Sequence, residues 1–489
     1  MNTPVRRIAI AVMAMIVMLL ANLTYVQVVK ADDYRSDPRN QRVLLAEYAR
    51  KRGQISAGGQ VLADSTATDD RLRYQREYPD GPVFATVTGY YSVIYSSSGL
   101  ERAADPVLNG SDDRLFARRL SDLITGRDPS GGNVVLTLKP SVQQRAYKAM
   151  ADKGFAGAVV ALEPQTGEIM AMVSTPSFDP NPLASHNSAT QKDTWTKLNK
   201  AAPPVLTNRA ISETYPPGST FKLIDVAAAL QHGYTPDSQL TAASSLTLTG
   251  TNTTLQNFAG TPCGTAATAS LREALARSCN TAFAELAGNL GEDVLRTQAE
   301  AFGIGSSSLT VPMPVVPSSI GAIPDTAALQ QSGIGQRDVR LTPLQNAMVV
   351  AAIANGGQLM VPHLVKEIQG PELDTIDTTS VDRIGRAVPA SVASTITDMM
   401  IGSENRTQGG GKITGVQIAS KTGTAEHGSD PKNTPPHAWY VAFAPASNPQ
   451  VAVAVLVEDG GDRSLEATGG SVAAPIGRAV IAEALRTGR

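Results

Sequence analysis

The sequence predicts an α+β protein in three parts: an apolar N-terminal helix, a small irregular region, and a larger domain built on one antiparallel sheet. Three observations lead to this prediction. A run without charged residues lies close to the N-terminus, short strand-like pieces follow it, and strand-like segments stand at both ends of a mainly helical remainder. The predicted boundaries are 1–31, 32–132 and 133–489.

The whole-chain properties are those of a globular protein. A chain of 489 residues is too long for one compact domain and favours two or three. The hydrophobic content of 42% and the charged content of 18% are ordinary for folded proteins. The net charge is −2, so the chain has no excess of basic residues and nucleic acid is not an expected partner.

The first part is predicted to be a membrane anchor. Residues Ile8–Val29 carry no charge and would form a helix about 33 Å long, which suffices for a bilayer core of about 30 Å. Arg6 and Arg7 precede the run, so we expect a single-pass plasma-membrane protein with a cytoplasmic N-terminus and the remaining chain outside. The alternative is a cleaved signal peptide, for which Val29-Lys30-Ala31 would be a poor cleavage site.

The larger domain begins near Asn133, and the elements at its start are clear. The segment Val134–Leu138 is strand-like, and Pro140 opens a helix that runs to about Lys153. Two apolar segments around a Pro/Gly turn then predict a hairpin: Ala158–Leu162 and Ile169–Val173.

The far end of the chain predicts three more strands and a last helix. The region Phe221–Gly357 between the two ends is mainly helical. We therefore expect two early and three late strands to share one antiparallel sheet, with the inserted helices packed on it. The late elements are strands at 416–425, 438–444 and 450–458 and a helix at about 470–485.

Both cysteines lie in the helical middle region. Cys263 and Cys279 are expected outside the cytoplasm, where disulfides persist. A bridge between them would stabilise the fold by roughly 3 kcal/mol on the chain-entropy model. The alternative, two unpaired thiols, stays open at this point.

A candidate nucleophile and base stand together at a helix start. Pro216-Pro217-Gly218 interrupts the chain before Ser219, and Lys222 is three residues further along, so both side chains share the first turn. The helix that follows is apolar almost all round, which predicts burial. Burial and the positive end of the helix dipole both lower the pKa of a lysine, and a neutral lysine can take the proton of a serine. The plain alternative is a serine N-cap beside a surface lysine.

Two further short blocks complete the pattern. Ser278-Cys279-Asn280 follows a helix that starts at the capping box Ser270–Glu273, and its hydroxyl and amide could relay protons and bind a peptide. Lys421-Thr422-Gly423-Thr424 follows a strand-like segment, and its ammonium and hydroxyls would suit a substrate carboxylate, with Gly423 allowing close backbone approach. Each block alone is as well explained by ordinary helix-end or strand-end chemistry.

The order of the three blocks is far more specific than any one of them. Ser219–Lys222, then Ser278–Asn280, then Lys421–Gly423 is the constellation of active-site serine enzymes that acylate on a D-alanyl-D-alanine-like amide or a β-lactam ring. The five histidines show no metal-ligand spacing. His427 and His437 fall in a Pro/Gly-rich segment after the third block and are interpreted as loop residues.

The chain resembles the class B penicillin-binding proteins, and most of all their shorter actinobacterial members, grouped as penicillin-binding protein A. The blocks 215–222 and 421–425 carry the resemblance and are highly specific. Supporting matches lie at 52–55, 99–101, 335–336, 341–343 and 473–476. The resemblance implies a penicillin-binding transpeptidase domain, a five-stranded antiparallel sheet with helices on both faces plus an all-helical subdomain, above a non-catalytic pedestal of the dimerisation type.

The resemblance also implies a role for each matched residue. Ser219 would attack the penultimate D-alanine carbonyl of a peptidoglycan stem peptide, with Lys222 as base and Ser278 passing protons. Asn280 would hold the substrate amide, and the backbone N–H groups of Ser219 and Thr424 would form the oxyanion hole. The terminal carboxylate would be fixed by Lys421, Thr422 and Thr424. β-Lactams would acylate the same serine, and the family requires no metal or organic cofactor.

The alternatives are a DD-carboxypeptidase, a serine β-lactamase, and a non-enzymatic β-lactam sensor or scaffold. A class A β-lactamase uses a glutamate between the second and third blocks, and no glutamate occurs from Ala301 to Lys366. Only seven residues precede the apolar run, which disfavours inward signalling. The expected partners are a SEDS-family membrane glycan polymerase and other divisome or elongation proteins, in a role in wall synthesis during growth or division. We expect substitutions in 52–63 to spare acylation by penicillin and to impair that partnership.

Overall fold

The computed structural model describes residues 2–30, 34, 48–126, 128 and 130–488. The predicted boundary between 31 and 32 therefore lies outside the described residues. The first element is the helix Asn2–Thr24, continued by a π-helical turn, Tyr25–Val29. The whole stretch Thr3–Val29 is long and apolar enough to cross a membrane, and none of it is buried against the protein. The predicted run Ile8–Val29 lies within it.

The pedestal is built on a six-stranded sheet that also takes in strands from beyond residue 132. Strand Ile55–Ala57 pairs antiparallel with Gln60–Ala67 and parallel with Asn133–Leu136. The strand expected to open the larger domain thus lies in the middle of this sheet, and the boundary at 132/133 stays a prediction. In spatial order the strands are Thr375–Thr378, Val365–Gln369, Asn133–Leu136, Ile55–Ala57, Gln60–Ala67 and Tyr74–Glu77.

A buried ion cluster holds the pedestal together. The carboxylate of Glu101 is fully buried between two guanidinium groups, with Arg52 Nε and Arg76 Nε each 2.6 Å from one of its oxygens. Arg52 also pairs with Asp105 at 2.6 Å. Because a buried charge is tolerated only when it is paired, the cluster explains why the matched segments 52–55 and 99–101 carry these residues. The pedestal helices are Gly81–Thr88, Gly99–Ala103, Asp105–Leu108 and Phe116–Thr125.

The predicted central sheet is confirmed: five antiparallel strands, two from the start of the larger domain and three from its end. In spatial order they are Ala419–Ala425, His437–Ala444, Val451–Val457, Gly157–Leu162 and Ile169–Thr175. Residues 416–418 of the predicted third-block strand lie outside the strand proper.

Helices cover both faces of this sheet, which is why its strands are continuously apolar. Val159 and Ala161 point to a core formed with the helices Pro140–Ala151 and Ala474–Thr487. Val160 and Leu162 alternate with them and point to the opposite core, which includes the helix Pro343–Ala354. A short π-helical turn, Gly469–Ala473, precedes the last helix.

The helical subdomain is confirmed as mainly helical, but it also contains two small two-stranded ribbons. These are Gln239–Thr241 with Thr268–Ser270, and Ser245–Thr247 with Thr254–Gln256. Its helices are Lys222–Gln231, Leu271–Arg277, Asn280–Leu290, Glu292–Ala301 and Thr326–Ser332. The remaining elements are the helices Asn181–Ala184, Ser188–Lys200, Arg209–Ser212 and Ala390–Arg406, the strand pairs Tyr91–Ser92 with Ser96–Ser97 and Gln358–Met360 with Arg383–Arg386, and short 3-10 turns at 113–115, 218–220, 258–260, 458–460 and 464–466.

The disulfide between Cys263 and Cys279 is present in the structure. It joins the segment after the second ribbon to the residue that precedes the helix Asn280–Leu290. Since Cys279 lies between Ser278 and Asn280, the bridge restrains the backbone of the second block.

Candidate active site

Ser219 lies in a tight turn between the central sheet and the helical subdomain. A 3-10 turn, Gly218–Thr220, leads directly into the helix Lys222–Gln231. Gly218 has a φ of +53°, and its N–H donates to the carbonyl of Gly335 over 2.9 Å. The Ser219 hydroxyl is half-buried and forms no hydrogen bond with any described residue. It is therefore held in place by the backbone and is free to face a substrate.

Lys222 reaches from this helix into the second block. Its Nζ donates to the carbonyl of Ser278 and to Asn280 Oδ1, both over 2.8 Å. The side chain is fully buried, and burial together with the nearby Lys421 lowers its pKa well below the ordinary lysine value. A neutral amine has two N–H bonds and one lone pair. Because the two acceptors use both N–H bonds, the lone pair remains to accept a proton.

Ser278 sits at the point where two helices meet. It ends the helix Leu271–Arg277 in the left-handed conformation, with a φ of +61°, and the next helix starts at Asn280. A non-glycine residue in this region is uncommon and is held there by its surroundings. The Asn280 amide N–H donates to the carbonyl of Gln256 over 3.0 Å, so its oxygen is aimed at Lys222.

Lys421 connects the third block to the second. Its Nζ donates to Ser278 Oγ and to the carbonyl of Thr422, each over 2.8 Å. The side chain is fully buried, and burial lowers its pKa to about 7. Near neutral pH the ammonium and the neutral amine of Lys421 are thus both populated, and the ammonium is lost as the pH rises.

Gly423 leaves no room for a side chain on the face of the strand that meets the nucleophile turn. A side-chain carbon at Gly423 would lie 2.8 Å from the carbonyl oxygen of Pro217 and 3.1 Å from the Cβ of Trp439. The glycine therefore lets the strand pack against the turn of the nucleophile, because that side of the backbone is occupied by protein. A side-chain carbon at Gly218 would lie 2.9 Å from the carbonyl oxygen of Thr424. The turn that carries Ser219 and the Thr424 end of the strand are therefore neighbours.

The three blocks predicted from the sequence therefore converge in one place. Hydrogen bonds or direct packing join the first block to both of the others, and Lys421 joins the second to the third. The residues brought together are Ser219, Lys222, Ser278, Asn280, Lys421, Thr422, Gly423 and Thr424.

Two residues that support this site were not predicted from the sequence. Trp439, fully buried and opposite Gly423 in the sheet, donates from Nε1 to the carbonyl of Pro216 over 3.0 Å. Asn346 donates from Nδ2 to Thr220 Oγ1 over 3.0 Å. Both residues are more than 100 positions away in the sequence from the backbone around Ser219 that they hold. No local sequence pattern identifies them as part of the site.

Asp225 is a third residue near the site that was not predicted, although the sequence around it carries a signal. It lies three residues after Lys222 on a helix that is otherwise nearly all apolar. The carboxyl group is fully buried, and neither oxygen has a hydrogen-bond partner among the described residues. Burial raises its pKa well above the ordinary aspartate value, against the opposing effect of Lys222.

His427 and His437 form a cluster with Asp459 at the end of the sheet. The prediction that His437 is a loop residue is wrong, because it is the buried first residue of the strand His437–Ala444. The two rings stack with centroids 3.7 Å apart and planes 6° apart. Burial lowers the pKa of His437 to about 3, assisted by His427 and Arg340, so that ring is neutral.

This cluster places three possible metal donors within 4.8 Å of one another. The lone pairs of an imidazole lie in the plane of its ring. Two stacked rings therefore direct their lone pairs along parallel planes, which do not converge on one ion. The rings of His427 and His437 close the 426–436 segment onto the sheet instead.

Two family models match this chain. The penicillin binding protein transpeptidase domain matches residues 157–482, and the penicillin binding protein A dimerisation domain matches residues 52–134. Over 491 aligned positions the chain is 61% identical to the peptidoglycan D,D-transpeptidase PbpA of Mycolicibacterium smegmatis, and the alignment covers 100% of both chains.

Solved structures agree with this match. The ceftriaxone acyl-enzyme complex of penicillin-binding protein A from M. tuberculosis superposes with a TM-score of 0.89 at 58% identity, over 90% of this chain and 100% of that one. Pseudomonas aeruginosa PBP2, in complex with WCK 5153, gives a TM-score of 0.71 at 27% identity, over 89% of this chain and 95% of that one.

Proposed function

Because the chain belongs to the class B penicillin-binding proteins, we propose that it is a peptidoglycan D,D-transpeptidase that works through a Ser219 acyl-enzyme and is inhibited by β-lactams. The observation that carries the proposal is the position of Ser278 between two lysines. Its carbonyl accepts from Lys222 and its hydroxyl accepts from Lys421, both over 2.8 Å. One serine thereby links the base to the group that would bind the substrate carboxylate.

The residues divide the first half of the reaction among them. Lys222, neutral because it is buried, takes the Ser219 proton while Oγ attacks the penultimate D-alanine carbonyl. The backbone N–H groups of Ser219 and Thr424 stabilise the oxyanion, and Asn280 holds the substrate amide. Ser278 passes a proton from Lys222 to the departing D-alanine nitrogen, and the C–N bond breaks. Lys421, Thr422 and Thr424 hold the terminal carboxylate.

In the second half an amine from a neighbouring stem peptide replaces D-alanine. The amine attacks the ester carbonyl and loses a proton to Lys222, the ester C–O bond breaks, and Lys222 returns that proton to Ser219 Oγ. Water as acceptor would give a carboxypeptidase instead. No glutamate lies from Ala301 to Lys366 to activate that water as in a class A β-lactamase, which favours a long-lived acyl-enzyme.

Intact mass of the protein after exposure to penicillin tests the nucleophile. We expect an increment of one drug molecule on the parent protein and on Ser307→Ala, a change at an exposed serine, and none on Ser219→Ala. Consumption of the drug without an adduct would indicate a β-lactamase. Intact drug without an adduct would contradict acylation altogether. Incubation with a stem peptide and an added amine then separates transfer from hydrolysis.

For the rest of the chain we propose a single-pass anchor at Ile8–Val29 with a cytoplasmic N-terminus, a pedestal at 32–132 and a transpeptidase domain at 133–489. Arg6 and Arg7 support this orientation. Protease added to intact cells should then degrade the domain at 133–489 and leave the first residues protected. Protection of the large domain would reverse the orientation.

The pedestal and anchor are proposed to bind a SEDS-family glycan polymerase and other divisome or elongation proteins. Arg52 is a poor probe of this, because it is buried in the ion cluster. Gly59 is better: it is exposed, has a φ of +83°, and a side-chain carbon placed there would have no neighbouring atom within 4 Å. Gly59→Asn, a residue that tolerates this backbone, should keep penicillin acylation and weaken co-purification of the polymerase. Equal loss of acylation would count against a separate partner surface.

A further inference from the structure

The pedestal carries an amphipathic helix in which three apolar side chains are exposed. In the helix Phe116–Thr125, Phe116 is 60% exposed, Leu120 48% and Ile124 77%. They are four residues apart, so they lie on one face of the helix. We call Phe116, Leu120 and Ile124 the apolar stripe.

This helix is attached to the pedestal through Arg118 and through the turn just before it. Leu115, just before the helix, is buried with its Cδ1 near the backbone of Gly132. Arg114 pairs with Asp377 at 2.6 Å, and Arg118 pairs with Glu372, both in the 365–378 hairpin of the pedestal sheet. Since Arg118 lies on the opposite side of the helix from Phe116, Leu120 and Ile124, its ion pair keeps these three side chains turned away from the hairpin.

The helix also lies beside the place where the chain arrives from its anchor. Gly131 N–H donates to the carbonyl of Lys51 over 2.9 Å, and Arg50 Nη1 donates to the carbonyl of Asn109 over 2.7 Å. Residues 109 and 131 flank the segment that contains the helix. The stripe therefore belongs to the segment that lies next to the point where the chain enters the pedestal. The segment of about 20 residues between Val29 and Arg50 can span at most about 70 Å when fully extended. This length limits how far the helix can lie from the membrane.

We propose that the apolar stripe docks into the surface of the lipid bilayer that holds the anchor. Three side chains fall far short of the roughly 800 Å² per partner that a stable protein complex buries. A tethered chain needs much less, because the anchor already keeps the helix near the membrane. Helices that sit at the headgroup boundary combine Phe, Leu and Ile on one face with basic residues around it, and here Arg118 lies opposite the stripe and Arg119 lies beside it. Arg119 lies over the Phe116 ring, 5.8 Å from its centroid. A docked stripe would therefore place this cation at the level of the lipid headgroups.

This docking requires that the proposed anchor is not cleaved. Its consequence would be a fixed orientation of the pedestal relative to the membrane. An anchor alone leaves the pedestal free to tilt on its linker. A second contact beside the linker would hold the pedestal upright and set the height of the Ser219 site above the membrane.

The test uses the full chain in vesicles of phosphatidylcholine and phosphatidylglycerol, with tryptophan as the depth probe. Phe116→Trp reports on the stripe, and Phe258→Trp is the matched control, since Phe258 is exposed to a similar degree (70%) and lies in the domain at 133–489. The unsubstituted protein supplies the background from Trp195 and Trp439. Both variants should keep penicillin acylation, which verifies the fold.

We expect bromine placed near the headgroup end of the lipid chains to quench Phe116→Trp strongly, bromine at the methyl end to quench it less, and neither to quench Phe258→Trp. Adding Ile124→Ser should weaken the quenching. A chain that floats with the vesicles while Phe116→Trp stays unquenched overturns the docking and leaves the anchor intact. A blue-shifted but unquenched Phe116→Trp overturns it in favour of a protein cover, a second copy if the shift disappears on dilution. A chain that does not float overturns anchor and docking together.

Discussion

The Lys421 ammonium donates to Ser278 Oγ over 2.8 Å, although the two residues are 143 positions apart in the chain. On its other side Ser278 accepts from Lys222 through its backbone carbonyl. The two lysines have opposite requirements, since the base must be neutral and the carboxylate ligand must be charged. Burial lowers the pKa of both.

Asn280→Asp should convert the base into an ammonium. The new carboxylate would replace the oxygen that lies 2.8 Å from Lys222 Nζ. An opposite charge at this range raises a lysine pKa by about 1–3, so we expect acylation at neutral pH to fall about tenfold or more below the parent rate, and this deficit relative to the parent to shrink as the pH is raised. The measurement is the pH profile of the second-order rate of penicillin acylation. Asn280→Ala should lower the rate without moving the acid limb, and identical profiles for the two variants would contradict the prediction.

Acylation of the free enzyme should decline as the pH rises above about 7. Burial lowers the pKa of Lys421 to about 7, and a lysine is charged below its pKa and neutral above it. The attraction for the substrate carboxylate is therefore lost on the alkaline side. Lys421→Arg keeps its charge throughout, so its rate should be lower in amplitude but free of this alkaline limb. An unchanged limb in Lys421→Arg would assign it to another group.

Removal of the disulfide by the double change Cys263→Ala and Cys279→Ala should lower the free energy of unfolding by roughly 3 kcal/mol. The closed loop has a sequence separation of 16. Because Cys279 stands between Ser278 and Asn280, acylation should slow as well. Urea unfolding and acylation rates give the two readouts. Retention of both at the parent values would show that neighbouring contacts alone position the second block.

Asp225→Asn should make the protein less sensitive to pH. Burial raises the pKa of Asp225 above the unfolded value of about 3.9, so between these two pKa values the folded state binds more protons and stability falls as the pH rises. The asparagine variant does not titrate at this position, so it does not lose stability in this way as the pH rises. Urea unfolding from pH 5 to pH 9 should therefore show a growing advantage of Asp225→Asn with pH, while Asp398→Asn, at an exposed site, should follow the parent. A constant difference would mean that Asp225 does not titrate in this range.

Glu101→Gln should destabilise the pedestal and leave the distant active site able to react. The substitution leaves Arg52 and Arg76 buried without the carboxylate between them, and breaking a buried ion pair costs about 3–5 kcal/mol. Urea unfolding should reveal the loss, while the folded fraction still binds one penicillin. Glu466→Gln, at an exposed position, is the control. A stability equal to that of the control would show that the cluster contributes nothing net.

Much of the fold and the three blocks of the site could be predicted from the sequence because each depends on neighbours in the chain. Alternating or continuous apolar residues mark the strands of the central sheet, and the i, i+3 spacing of Ser219 and Lys222 follows from the helix itself. The pairing of Cys263 with Cys279 was predictable from context, and the buried Asp225 could have been found as a lone charge on an apolar helix.

Other features were decided only by the tertiary structure. The pedestal sheet draws in strands from 133–136 and 365–378, Trp439 holds Pro216, and Asn280 aims its oxygen at Lys222. The left-handed Ser278 and the packing role of Gly423 likewise have no local signature. The physical reason is that a helix or strand is encoded by nearby residues. The partner of a buried polar group is chosen by which distant surfaces can be buried together with every hydrogen bond satisfied.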